Sequence, residues 1–229
     1  MKKTYLLFKD ELLGFARSWV MLFLWIGLPV LAILLYYFQA RQVPTGPMNP
    51  SMEIPVSFFI SLIVASLGGT LAAVMVGVGI VNEKSRKVYD LFIIRPVSRR
   101  GLVWAKFGAV FICVAIACVL AIGLGILIDV LRGSEISPMM WKNSGSAIIN
   151  AVNMIAVSTA GGVLVGVISP NVLIGVLLVI YGSQNLVVVP LLPRLLDLPD
   201  LQWVATLLSF GLAGGLMWLA GFIFQRKEF

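Results

Sequence analysis

Residues 82–101 read NEKSRKVYDLFIIRPVSRRG, with six Lys or Arg against two acids, and they are flanked by two long apolar runs, residues 56–81 and 102–130. About 20 apolar residues cross a bilayer as a helix. A charged stretch between two such runs is therefore a loop between two membrane helices, and it predicts an all-α polytopic fold. Working outward in both directions, the same criterion finds four more runs, at 19–38, 147–168, 172–192 and 201–224. The run at 102–130 exceeds what a bilayer needs and is expected to tilt or to extend past the interface. Only Ser169, Pro170 and Asn171 separate the fourth run from the fifth, a turn in which Pro ends one helix and permits the next. The expected architecture is one domain over residues 1–229 with six transmembrane helices.

Composition agrees. Of 229 residues 60% are hydrophobic and 12% charged, whereas soluble proteins carry about 25% charged residues. Mean hydropathy is +1.02. A soluble enzyme, a disordered chain and a disulfide-stapled secreted domain are all excluded. The chain has no His, which removes His-ligated haem, H-E-x-x-H zinc sites and Ser-His or Cys-His catalytic pairs. No metal site is expected. Met139 and Met140, beside Trp141, read as an interfacial anchor.

Charge sets the expected orientation. Thirteen of the 17 Lys and Arg fall on one side of the six runs: Lys2, Lys3, Lys9, Arg17, Lys84, Arg86, Lys87, Arg95, Arg99, Arg100, Lys106, Arg226 and Lys227. Arg41, Arg132, Lys142 and Arg194 fall on the other. Cytoplasmic loops carry the Lys and Arg excess, so both termini and the 82–101 loop are expected in the cytoplasm of a cell (inner or plasma) membrane. The net charge of +7 then reflects topology and anionic lipid, with no role for nucleic acid.

Residues 1–18 are expected to form an uncleaved interfacial helix. Tyr5, Phe8, Leu12, Phe15 and Ala16 recur at helical spacing, with Lys2, Lys9 and Arg17 among the polar positions, and no small-residue cleavage site follows. The outer loops are too short for a folded domain, and residues 191–198 are expected to form a brief helix between prolines.

Within the 82–101 loop, Val88, Leu91 and Phe92 share one helical face, Asp90 lies off it, and Pro96 ends the helix. Exposed Leu and Phe on such a helix need a cover, either membrane surface or a partner protein. Here the chain resembles the type-2 ATP-binding-cassette permeases (ABC-2 type), membrane subunits of exporters whose ATPase is a separate polypeptide. Their second and third helices are joined by a segment of the form E-(K/R)-E-x-G-T-L-E-L-L-L-x-x-P-V-S-R, followed by a Lys at the start of helix three. Glu83, Lys84, Asp90, Leu91, Phe92, Ile93, Pro96, Val97, Ser98, Arg99 and Lys106 stand in that register without a gap. Lys87 and Val88 replace the usual Gly-Thr, and Ser85 replaces the second acid.

The resemblance implies a coupling helix that docks in a groove of the ATPase. Val88, Tyr89, Leu91 and Phe92 would supply apolar anchors, and Glu83, Asp90, Arg95 and Arg99 the charge pairs that fix register. It also implies two ATPase subunits and a second permease copy or paralogue, since six helices form half a pathway in that family. The sequence has no G-x-x-x-x-G-K-[ST], so ATP and Mg would be bound by the partner and this chain would itself be no enzyme.

Polar residues inside the runs admit two readings. Ser57, Ser61, Asn150, Asn153, Gln184 and Asn185 either line a translocation path or hydrogen-bond between helices. Small residues four apart, Gly69, Ala73 and Gly77, Gly162 and Gly166, and Gly211 and Gly215, allow close helix approach within a subunit or at a dimer seam. Cys113 and Cys118 read as apolar filler. Two other functional classes stay open at this stage, an intramembrane lipid-modifying enzyme and an ATP-independent channel or scaffold.

Overall fold

The structure, a computed structural model, describes residues 2–42, 56–86, 99–131, 138–191 and 202–226. Among these, every regular element is helical: α1 Lys2–Ala16, α2 Trp19–Gln42, α3 Val56–Ser85, α4 Arg99–Leu131, α5 Pro138–Ile168, α6 Val172–Val187, a 3₁₀ turn Val189–Leu191, and α7 Gln202–Arg226.

Contacts between helices fix their directions. Gly69 meets Ser158 and Gly77 meets Gly166, so α3 and α5 run parallel. Lys106 near the start of α4 reaches Glu83 at the end of α3, while Cys118 lies against Gly68 and Val64, so α4 runs opposite to α3. Gly161 packs on Leu186 and Gly175 on Ser169, which makes α6 antiparallel to α5. Gln202 and Thr206 meet Ser146 and Asn153, and Gly221 meets Arg100. Successive helices from α3 to α7 thus alternate up and down, as a chain threading a bilayer must.

Among the described residues, four helical segments are long and apolar enough to cross a membrane, namely Ser61–Ser85, Arg100–Ile128, Ser144–Ile168 and Gln202–Arg226. Tyr5–Ala16 and Trp19–Leu35 meet the same test together but are bent by 64°. The bend has a local cause. Ser18 Oγ accepts from the Met21 N–H at 3.2 Å as the N-cap of α2, and its hydroxyl donates to the Phe15 carbonyl at 2.8 Å, closing α1.

Two helix ends and one buried face differ from expectation. The helix expected over 147–168 begins nine residues earlier, at Pro138, where a missing N–H costs nothing in the first turn. The run at 172–192 is helical only to Val187, because Pro190 cannot continue the hydrogen-bond ladder. At 16 residues, or about 24 Å, α6 is shorter than a bilayer core. Finally, the buried side of α1 is rotated toward Glu11. Leu7, Leu12 and Phe15 pack on the core and Phe8 lies on Gly108, whereas Tyr5 is 65% exposed and Ala16 is exposed. The helix expected at 191–198 falls almost wholly outside the described residues.

The core centres on α5, whose Ala151, Ile155, Ala156, Ala160, Val163 and Val167 are all buried. Helices apolar all round sit inside a bundle. Its tightest neighbour is α3. A Cβ placed on Gly162 would lie 2.5 Å from the Ala73 Cα, and one on Gly166 would lie 2.9 Å from the Gly77 carbonyl oxygen. These small residues therefore serve packing within the subunit. Gly211 and Gly215 have nothing within 4 Å of such a Cβ. Cys113 and Cys118 are buried free thiols, and Cys118 Sγ occupies the notch left by Gly68.

Candidate functional site

The charged end of the bundle carries the most organised polar cluster among the described residues. Its centre is Lys106, about two turns into α4 and with a side chain only 7% exposed. The ammonium donates to Glu11 Oε1 of α1 at 2.8 Å and to Glu83 Oε1 of α3 at 2.6 Å. Its burial follows from the small residues around it. Ala105 and Ala109 are buried beside it, and Gly108 lets the Phe8 ring lie against α4. An ammonium taken out of water is tolerated only when paired and hydrogen-bonded. Two carboxylates from two other helices supply that, and so one cation ties α1, the end of α3 and the start of α4 together.

One residue further on, Lys84 turns to the other side of α3. Its Nζ donates to the Val167 carbonyl at 3.1 Å and the Ser169 carbonyl at 2.8 Å. These belong to the last turn of α5 and the turn after it, where carbonyls lack intrahelical partners and the helix dipole favours a cation. Glu83 and Lys84 together therefore clamp the last turn of α3 to α1, α4 and α5, at the point where the chain enters residues 87–98.

Of the expected coupling residues, Val88, Tyr89, Asp90, Leu91, Phe92 and Arg95 lie outside the described residues, as does the Arg99 side chain, although Arg99 opens α4. Glu83 is at the site. Glu11 was not among the residues singled out from sequence. Its signal was an acid on the same face as Leu7, Phe8, Leu12 and Phe15, since a carboxylate inside an apolar stripe requires a partner.

The expected path residues are spread over the opposite half. Asn150 and Asn153 are buried on α5, and Ser61 is buried on α3. Asn153 Nδ2 donates to Thr206 Oγ1 of α7 at 3.0 Å. Asn185 is exposed and donates to the Tyr181 carbonyl of its own helix at 2.7 Å, a local bond that does not reach another helix. The side chains of Ser57 and Gln184 lie outside the described residues.

Residues 7–191 match the family model described as an ABC-2 family transporter protein, a stretch that runs from the second turn of α1 to the end of the 3₁₀ turn. No curated protein matches the chain.

Proposed function

This chain belongs to the ABC-2 family of transporter membrane proteins, and on that premise we propose that it is the permease subunit of an ATP-driven exporter, with six passes through the cell membrane and cytoplasmic termini. Permeases of this family work with an ABC ATPase. The observation that carries the proposal is the Lys106 cluster. It anchors both ends of the 87–98 segment, the end of α3 through Glu83 and the start of α4 through Lys106, and joins them to α1.

A segment held at both ends can pass a push from an ATPase to two membrane helices at once. In this reading Leu91 and Phe92, with Val88 and Tyr89, insert into the ATPase groove, and Glu83, Asp90, Arg95 and Arg99 fix the register. Two copies of the chain, or this chain and a paralogue, complete the pathway with two ATPase subunits that bind the ATP and Mg. Ser61, Asn150 and Asn153 belong to the part of the bundle that meets substrate.

Docking is tested by copurification. Burying one large apolar side chain is worth roughly 1.5–3 kcal/mol, about a tenfold to hundredfold change in affinity. Phe92→Ala should therefore insert normally yet lose the ATPase on purification in detergent, and equal recovery by wild type and variant would overturn the assignment. A membrane-surface role predicts the reverse for Asp90→Lys, since an added cation strengthens adhesion to anionic lipid.

Orientation has its own test. Ser85 and Lys142 are both exposed, at opposite ends of the bundle. A membrane-impermeant maleimide should label Lys142→Cys in intact cells and Ser85→Cys only after permeabilisation. Labelling of Ser85→Cys in intact cells would remove the ATPase from reach of the 87–98 segment.

A further inference from the structure

None of the three residues in the Lys106 cluster belongs to α5 or α6. Yet α5 is the centre of the core and carries Asn150 and Asn153. Its contact with α3 is lined by small residues, with Gly77 against Gly162 and Gly166. Such a surface resists compression, but two helices can part or slide along it without breaking a polar bond. A pull from the end of α3 therefore needs a directional link, and Lys84 provides one.

The pattern of α3 and the geometry of the turn after α5 put Lys84 there. Val81 and Lys84 are three residues apart, hence on one face of α3. That face meets the turn joining α5 to α6, where a Cβ on Gly175 would lie 3.4 Å from Ser169 Cβ and 3.6 Å from Val81 Cγ2. The helical ladder stops at this turn, since Pro170 brings no N–H and Asn171 is extended at φ −130° and ψ 152°. The Val167 and Ser169 carbonyls accept from Lys84 Nζ at 3.1 and 2.8 Å. A bond from an ammonium is stronger than a neutral one, and both acceptors are main chain, so displacement of the ammonium acts on the backbone of α5 itself. The Ser169 hydroxyl is buried and has no hydrogen-bond partner among the described residues, so it adds no second polar link from this turn to α3.

We propose that Lys84 is a positioning residue for transport, carrying displacement of the 87–98 segment to the α5–α6 turn as a second branch beside the one through Lys106. Glu83 and Lys84 are adjacent and reach different helices, so a single turn of α3 serves both branches. The proposal rests on the ATPase-docking reading.

The full-length chain in complex with its ATPase is compared nucleotide-free and after trapping with ATP, Mg and orthovanadate, and the readout is the rate of labelling by a water-soluble maleimide. Asn171→Cys reports on the turn, since Asn171 is exposed and its side chain makes no cap hydrogen bond. Lys9→Cys, exposed on α1, reports on the Lys106 branch. Cys113 and Cys118 are buried and stay unlabelled. With Lys84 in place, trapping should change the rate at both positions by about threefold or more, the scale of coupling between linked sites. Lys84→Met should abolish the change at 171 and keep the change at 9, and Lys84→Arg, which still donates to carbonyls, should restore the response at 171. If Lys84→Met does not fold, Lys84→Gln takes its place. Its amide donates over a shorter arm and without charge, and the response at 171 should fall below that of Lys84→Arg.

A residue that only fastens the bundle would lower thermal stability when replaced and leave the nucleotide response at 171 in place, which overturns the proposal. Loss of the response at both 9 and 171 in Lys84→Met would make Lys84 part of docking and overturns it too. So does a wild-type background with the ATPase bound and no response at 171. Failure of the wild-type chain to recover any ATPase would overturn the docking reading and this proposal with it, and is told apart by the empty pull-down.

Discussion

Gly162→Ala is expected to destabilise the folded bundle severely, although it adds a single methyl group. The new Cβ would lie 2.5 Å from the Ala73 Cα, and what it meets is backbone, which cannot rotate aside. Either α3 and α5 separate or both helices bend, and overpacking of this kind costs about 1–3 kcal/mol or more. The usual gain of about 1 kcal/mol for Ala over Gly inside a helix is not enough to offset it. Gly166→Ala, at 2.9 Å from the Gly77 carbonyl oxygen, should be next in severity. Gly211→Ala and Gly215→Ala are the controls, because open space surrounds both positions and helix propensity alone should make these variants neutral or slightly more stable in detergent. Thermal unfolding followed by size-exclusion recovery ranks the four. A Gly162→Ala variant as stable as Gly211→Ala would mean that α3 and α5 do not pack along this line.

The contrast between these glycines shows where sequence reasoning stops. Spacing of four marks Gly69, Ala73 and Gly77, Gly162 and Gly166, and Gly211 and Gly215 equally, because it reports only that small residues share a helix face. Which faces meet depends on tertiary placement. Helix existence was legible, since runs of about 20 apolar residues have few other soluble-free outcomes, and the Ser169, Pro170, Asn171 break fell where Pro and the polar pair put it. The ends were less legible. Apolarity suggested that the fifth run continued to 192, while backbone geometry ended α6 at Val187 ahead of Pro190. Tolerance for Pro at a first helical turn let α5 begin at Pro138, ahead of its apolar part. At the charged end, Glu83 and Lys106 stood out through the family motif. The third member, Glu11, is 95 residues from Lys106 in sequence, and no periodicity encodes a contact of that separation.

Among the charges, the Lys106 cluster should show the largest non-additive effect. Glu11→Gln alone leaves Lys106 paired with Glu83, and Glu83→Gln alone leaves it paired with Glu11. Each single change is expected to cost about 1 kcal/mol, the scale of a net hydrogen bond. With both carboxylates neutral, an ammonium on a side chain 7% exposed has no counter-charge, and an uncompensated buried charge costs about 3–5 kcal/mol. The double variant should therefore lose more than the two singles together, by about 1–3 kcal/mol. Lys106→Met should be milder, because Glu11 and Glu83 keep side-chain exposures of 21% and 30% and can turn to water. Removing all three charges, in Glu11→Gln, Glu83→Gln and Lys106→Met together, leaves nothing charged to bury and should restore much of the stability. That triple variant separates structure from transmission. If the cluster carries motion from the 87–98 segment into α1, α3 and α4, the restored protein should still bind its ATPase and hydrolyse ATP, yet export poorly. Unfolding measurements on the five variants and wild type test the non-additivity, and transport per ATP hydrolysed in reconstituted vesicles tests the transmission. Full export by the stable triple variant would reduce Lys106 to a fastener of α1, and additive losses from the two Gln changes would dissolve the cluster into independent surface pairs.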